Sequence, residues 1–186
     1  MEHFLGWEVE LADSCFDSSA FIMMDYRLRY QDSTSFTYVL PFSDRHALIE
    51  YTFFTSYLLK EDVYEDLLRQ YLHKYLGSIP YQIRRTEQGV IPMTDYAFGN
   101  DHKRNLKKIE TAGGWVRPSS GYSFSASGRY VDQIIKNIVR NRDIAPGVAQ
   151  NRWRWYDRIF LHILQHNNVL GQGSLKRCTK TTTSNC

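Results

Sequence analysis

Apolar and polar residues alternate through most of the first half of the chain at the two-residue period of half-buried strands, with turn-forming clusters between the runs. The pattern predicts strands near 4–11, 19–30, 35–42, 46–55 and 81–87. Between the fourth and fifth runs the period changes. Tyr64, Leu67, Leu68, Tyr71, Leu72 and Tyr75 recur at helical spacing over 60–76, and Gly77 stands where a C-terminal cap belongs. One amphipathic helix on a sheet is expected.

From about Arg104 the texture differs. A short strand-like stretch through Leu106 and Ile109 runs into a glycine-rich segment, GGWVRPSSGYSF at 113–124. Tyr130, Ile134, Ile135, Ile138 and Val139 then line one helix face, and Trp153, Tyr156, Ile159, Phe160, Ile163 and Leu164 another, with Pro146 and Gly147 between them. Strands, then strand-loop-helix, then helices argue for an α+β chain: an antiparallel substrate-binding sheet with a helix at 1–100, and the closing part of a cofactor domain at 101–170. Residues 171–186 lose the apolar period and are expected to be a polar, disordered tail.

At 186 residues and 42% hydrophobic content the chain can bury one sizeable core or two small lobes. Its 23 basic and 20 acidic residues are mixed along the sequence, so no basic stripe argues for nucleic acid. No apolar run reaches the ~18 residues of a membrane span and no signal core opens the sequence, which reads as cytoplasmic. Cys15, Cys178 and Cys186 have no zinc spacing. Of the histidines, only His162 and His166 stand one helical turn apart, without an acidic partner, so no metal site is expected.

Several residues are candidates for chemistry. Glu50, in HALIEYTFF, shares a strand face with Leu48, Thr52 and Phe54, and a carboxyl on an apolar face is pushed toward its neutral form. Raising a glutamate from about 4.3 to neutrality costs roughly 3.7 kcal/mol, within reach of desolvation. An exposed or salt-bridged strand glutamate is the ordinary alternative. Asp25, in FIMMDYRL, could instead pair with Arg27 and hold a structural post. Pro92 and Met93, in VIPMTD, read equally as a strand end. Gly113, Gly114 and Gly121 around Pro118 allow close backbone approach to a ligand, or simply a tight turn before a helix.

TAGGWVRPSSGYSF, at 111–124, resembles the flavin-contacting loop of the flavoprotein lycopene cyclases, roughly GTAGGxTKPSTGYxF in that family. FIMMDYRL (21–28), FTYVLPFSDRHALIEYTFF (36–54) and GVIPMTD (89–95) match in the same order, so the likeness spans about 2–169. The resemblance implies that Glu50 is the acid/base group, with Asp25 a second catalytic candidate. It implies that Thr111, Ala112, Gly113, Gly114, Pro118 and Gly121 contact FAD, and that Pro92 and Met93 line the substrate channel. It also implies reduced FAD with NADPH as reductant, lycopene or a related linear carotenoid as substrate, and peripheral membrane contact. The family's N-terminal Rossmann half, with its GxGxxG, has no counterpart here, so the chain reads as a C-terminal portion whose FAD half is missing and which is expected to be inactive alone. Glu110 stands where the family usually has glycine. Another flavin enzyme of the same fold, a prenyl reductase or hydroxylase, is the nearest competing reading, and a truncated chain that binds apolar ligands passively is the other.

Overall fold

The computed structural model of the protein describes residues 1–96, 98, 106–148, 154–171 and 173. Five strands, β1 (Glu2–Leu11), β2 (Ile22–Asp25), β3 (Thr34–Pro41), β4 (His46–Phe54) and β5 (Tyr81–Ile91), lie in the order β2-β3-β4-β1-β5. The β2–β3, β3–β4 and β4–β1 pairs are antiparallel. The class is therefore α+β.

Strand alternation sorts the side chains. Leu5, Trp7 and Val9 of β1 and Ala47, Ile49, Tyr51 and Phe53 of β4 are buried in one core with α1 (Glu61–Leu76), which contributes Tyr64, Leu67, Leu68, Tyr71 and Leu72. Each Val, Leu, Ile or Phe side chain among them is worth ~1.5–3 kcal/mol of burial, which holds the helix on the sheet. His3 belongs to this core: its Nε2 lies 2.7 Å from Thr55 Oγ1 and its Nδ1 2.6 Å from the Tyr64 hydroxyl. The opposite face presents Phe4, Gly6 and Glu8 across from Thr52, Glu50 and Leu48, and β3 extends it with Phe36, Tyr38 and Leu40.

The second strand is much shorter than the 19–30 expected. The register shifts between Ile22 and Asp25, and Met24 takes a left-handed φ of 59°. Asp25 Oδ1 then accepts the Arg27 backbone N–H at 3.0 Å, a local bond that turns the chain out of the ladder. The strand-like stretch expected at 106–109 is likewise only an isolated bridge at Leu106 among the described residues.

The chain divides into two compact units, one of Met1–Val90 with the chain from Ile163, the other of Ile91–His162. In the first, Asn168 Oδ1 accepts the Thr34 backbone N–H at 2.5 Å and its Nδ2 donates to the Phe54 carbonyl at 2.6 Å, so one side chain ties the neighbouring ends of β3 and β4. The second contains a 3-10 turn (Glu110–Gly113), α2 (Phe124–Val139) and the greater part of α3 (Arg154–His166). Trp153, expected on the α3 face, and nearly all of the expected 171–186 tail lie outside the described residues.

Candidate active site on the sheet face opposite α1

Glu50 is half-buried at the centre of this face, and the Thr52 hydroxyl donates to its Oε1 at 2.7 Å. Burial pushes its carboxyl up to about 7; the Thr52 bond opposes the rise, and the charge of Glu87 adds to it. The rise brings its protonated form toward neutral pH. This is what a proton donor to a weak base needs.

Tyr38 stands directly across the β3–β4 pair from Glu50. Burial, then the charges of Glu2 and Glu50, hold its phenol in the neutral form. On the other side Glu50 pairs with Gly6 of β1, a position without a side chain. A Cβ at Gly6 would lie 3.1 Å from Glu87 Cγ, 3.2 Å from Leu48 Cδ1 and 3.5 Å from Glu50 Cβ. Glu87 therefore reaches from β5 over β1 toward the Glu50 side. Glu2 joins the group from the start of β1: it is only 6% exposed, and its Oε2 has no hydrogen-bond partner among the described residues. Burial, reinforced by Glu50 and partly offset by the chain's amino group, pushes it up to about 8.

Sequence reasoning singled out Glu50 but not Tyr38, Glu2 or Glu87. Tyr38 was beyond reach without the β3–β4 register. The signal for Glu2 was its even spacing with Phe4 and Gly6, and that for Glu87 its place on the last strand two residues before Gly89, whose Cβ would strike the Phe4 ring at 2.7 Å.

Asp25 is not brought to this site. It pairs with Thr37, which pairs in turn with the core residue Tyr51, so it lies on the α1 face. There Arg27 Nε donates to both carboxylate oxygens at 2.9 and 2.8 Å, and the Tyr71 hydroxyl donates to Oδ2 at 2.7 Å. Burial raises its pKa, but the bonds from Arg27 and Tyr71 together outweigh this and leave it below the usual carboxylate range. Pro92 and Met93 follow β5 as an exposed and a half-buried residue of the second unit.

The glycine-rich loop is built by its own packing. Thr111 and Ala112 lie within the 3-10 turn, and the amides of Gly113, Gly114 and Trp115 donate to the carbonyls of Ile109, Thr111 and Glu110. A Cβ at Gly113 would lie 2.4 Å from the Lys108 carbonyl oxygen, and one at Gly114, where φ is 71°, 2.8 Å from the Phe98 ring. Gly121 also takes a positive φ, 66°, and its N–H donates to the Arg117 carbonyl across Pro118 at 3.0 Å. The Ser119 hydroxyl donates at 2.5 Å to Asp157, which is buried in α3.

Two observations fit a flavin beside this loop. Among the described residues the buried Trp115 Nε1 is a donor without a partner, and the start of α2 has neither a side-chain cap nor an acidic residue in its first turn. One residue opposes it. The Glu110 carboxylate accepts the Ser127 hydroxyl at 3.2 Å and so brings an anion to the first turns of that helix.

The family model described as "Lycopene cyclase protein" matches residues 1–180. A "Lycopene beta-cyclase" from a Paracoccus species is 29% identical over 140 residues, covering 72% of this chain and 35% of the relative. Among solved structures, a geranylgeranyl bacteriochlorophyll reductase-like protein from Thermoplasma acidophilum matches with a TM-score of 0.56 at 12% identity, over 95% of this chain and 43% of the other. The chain thus spans about a third of the curated relative's length, and the structural likeness is one of fold.

Proposed function

Because the chain belongs to the lycopene cyclase family, we propose that it takes part in the redox-neutral cyclisation of the end groups of lycopene or a similar linear carotenoid, with Glu50 as the acid. The observation that carries this reading is a glutamate on a sheet face, desolvated and held near neutrality, with Tyr38 opposite and Thr52 on one oxygen.

The chemistry asks three things of the protein. The terminal carbon–carbon double bond must receive a proton, the resulting tertiary cation must be shielded from water while the next double bond attacks it, and a ring proton must then leave. The Glu50 carboxyl in its neutral form supplies the first proton. Thr52, bonded to Oε1, fixes the carboxyl plane and supports the carboxylate left behind. Half-buried aromatic rings on the same face, Phe4 and Tyr38, offer π surfaces to a passing cation, each worth ~0.5–2 kcal/mol. A reduced flavin, when bound, would supply electron density to the reaction; Thr111, Ala112, Gly113, Gly114, Pro118 and Gly121 are the residues that would hold it. NADPH is the proposed reductant. Among the described residues no helix is long and apolar enough to cross a membrane, and a lipid-soluble substrate makes peripheral contact the natural arrangement.

The test is expression of the intact gene product in cells that accumulate lycopene, with Glu50→Gln beside it. The expected product is an isomer of the substrate, identical in mass, and the variant loses about 10²–10⁴-fold in rate. A product heavier by two hydrogens supports the reductase reading instead. Retained cyclisation by Glu50→Gln removes that residue from its role.

A further inference from the structure

Ring closure needs an acceptor for the last proton as well as the Glu50 donor of the first. The geometry points to Glu87 as that acceptor, a second catalytic carboxylate that shares the face with Glu50 across the bare backbone of Gly6. This inference rests on the proposed cyclisation.

Three observations carry it. The sheet order places β1 between β4 and β5, so Glu50 and Glu87 come from the two strands flanking Gly6. Any side chain at position 6 would separate them, since its Cβ would sit 3.1 Å from Glu87 Cγ and 3.5 Å from Glu50 Cβ. Finally, the two residues act on each other through space, the Glu87 charge favouring the neutral form of Glu50. Neighbouring carboxyls of this kind can divide their work, since the charge of one favours the protonated form of the other.

The proton count closes. The Glu50 O–H bond breaks as a C–H bond forms at the terminal double bond; a carbon–carbon bond closes the ring. A ring C–H bond then breaks, its electrons make the new double bond, and the proton forms an O–H bond on Glu87. Return of that proton from Glu87 to Glu50, directly or through water, restores the starting state with no oxidant or reductant consumed. An anionic Glu87 also lowers the energy of the intervening cation.

The other titratable groups on this face do not replace it. Burial favours the protonated forms of the Glu2 carboxyl and the Tyr38 phenol, so neither offers the anion that would take up a proton. Glu8, farther along β1, is engaged by His46 Nε2 at 2.8 Å.

The test separates this inference from the proposed cyclisation. The chain, carrying carboxyl-labelled glutamate, is titrated by NMR as wild type and as Glu87→Gln. The Glu50 midpoint is expected to move down when the neighbouring charge is removed; an unmoved midpoint overturns the pair, whatever the enzyme does. In lycopene-accumulating cells Glu87→Gln is expected to lose about 10²-fold or more of cyclisation, and Glu87→Asp to recover part of it. A Glu87→Gln rate within about threefold of wild type overturns the acceptor role while leaving the Glu50 result standing.

Discussion

Asp25 and Glu50 lie on opposite faces of one sheet: Asp25 pairs through Thr37 into the α1 core, whereas Glu50 pairs with Tyr38 on the other side. Two carboxyls that share a sequence resemblance to one active site therefore have different surroundings. Asp25 is fully engaged by Arg27 and Tyr71, and its ionised form is the stable one. Asp25→Asn is expected to lower stability by about 1–3 kcal/mol, because a charge-assisted network is broken at a buried carboxylate. Chemical denaturation measures this, and the Glu50 midpoint in the same variant is expected not to move. A moved midpoint would put Asp25 within reach of the site.

Glu50 and Glu2 should leave a signature in the pH dependence of folding. Both carboxyls hold a proton more tightly in the folded chain, to about 7 and about 8, than the ordinary 4.5. Their contribution is thus complete below about pH 4.5 and is lost as pH rises through 7 and 8. Glu50→Gln removes its share of that loss. The variant is expected to match wild type near pH 5 and to exceed it by about 2–3 kcal/mol near pH 9, read from urea unfolding at the two pH values.

His3 produces the opposite slope. Burial, then the nearby amino group, push its imidazole down to about 4, so the folded chain keeps it neutral. Its contribution is present above the ordinary 6.5 and is lost as pH falls toward 4. Replacing its partner by Tyr64→Phe removes the 2.6 Å bond to Nδ1 and is expected to cost about 1–2 kcal/mol at pH 7.5. His3→Gln should flatten the acid limb of the stability profile between pH 6.5 and 4, and an unchanged limb would assign it to other groups.

How much of this could be read from the chain is decided residue by residue. Strict alternation in HALIEYTFF placed Glu50 on its face, and the helical spacing of Tyr64 to Leu72 placed α1, since both signals are local periods. β2 could not be bounded in the same way. Its end is set by Asp25 bonding back to Arg27, a contact that no hydropathy pattern encodes. Glu87 and Glu50 are 37 positions apart in the sequence. What joins them is the strand order together with the missing side chain of Gly6. Likewise the glycines of the 113–121 loop answer first to the Lys108 carbonyl and the Phe98 ring, contacts that only the folded loop reveals.

At Glu110 a departure from the family's glycine coincides with backbone strain. Its φ is 51°, in the left-handed region where a side chain costs about 1–2 kcal/mol and glycine costs little. Glu110→Gly gives up the exposed 3.2 Å bond from Ser127 and the entropy advantage of a side chain. The net gain expected is up to about 1 kcal/mol by denaturant unfolding. Gly114→Ala provides the contrast: with φ at 71° and the Phe98 ring 2.8 Å from the new Cβ, it should cost about 2 kcal/mol or more. Removing the Glu110 carboxylate also takes an anion away from the first turns of α2, so the same variant is expected to retain flavin better, measured by flavin absorbance after gel filtration. Were Glu110→Gly to lose stability, the carboxylate's bond to Ser127 would be holding the loop, and the strain would be the smaller effect.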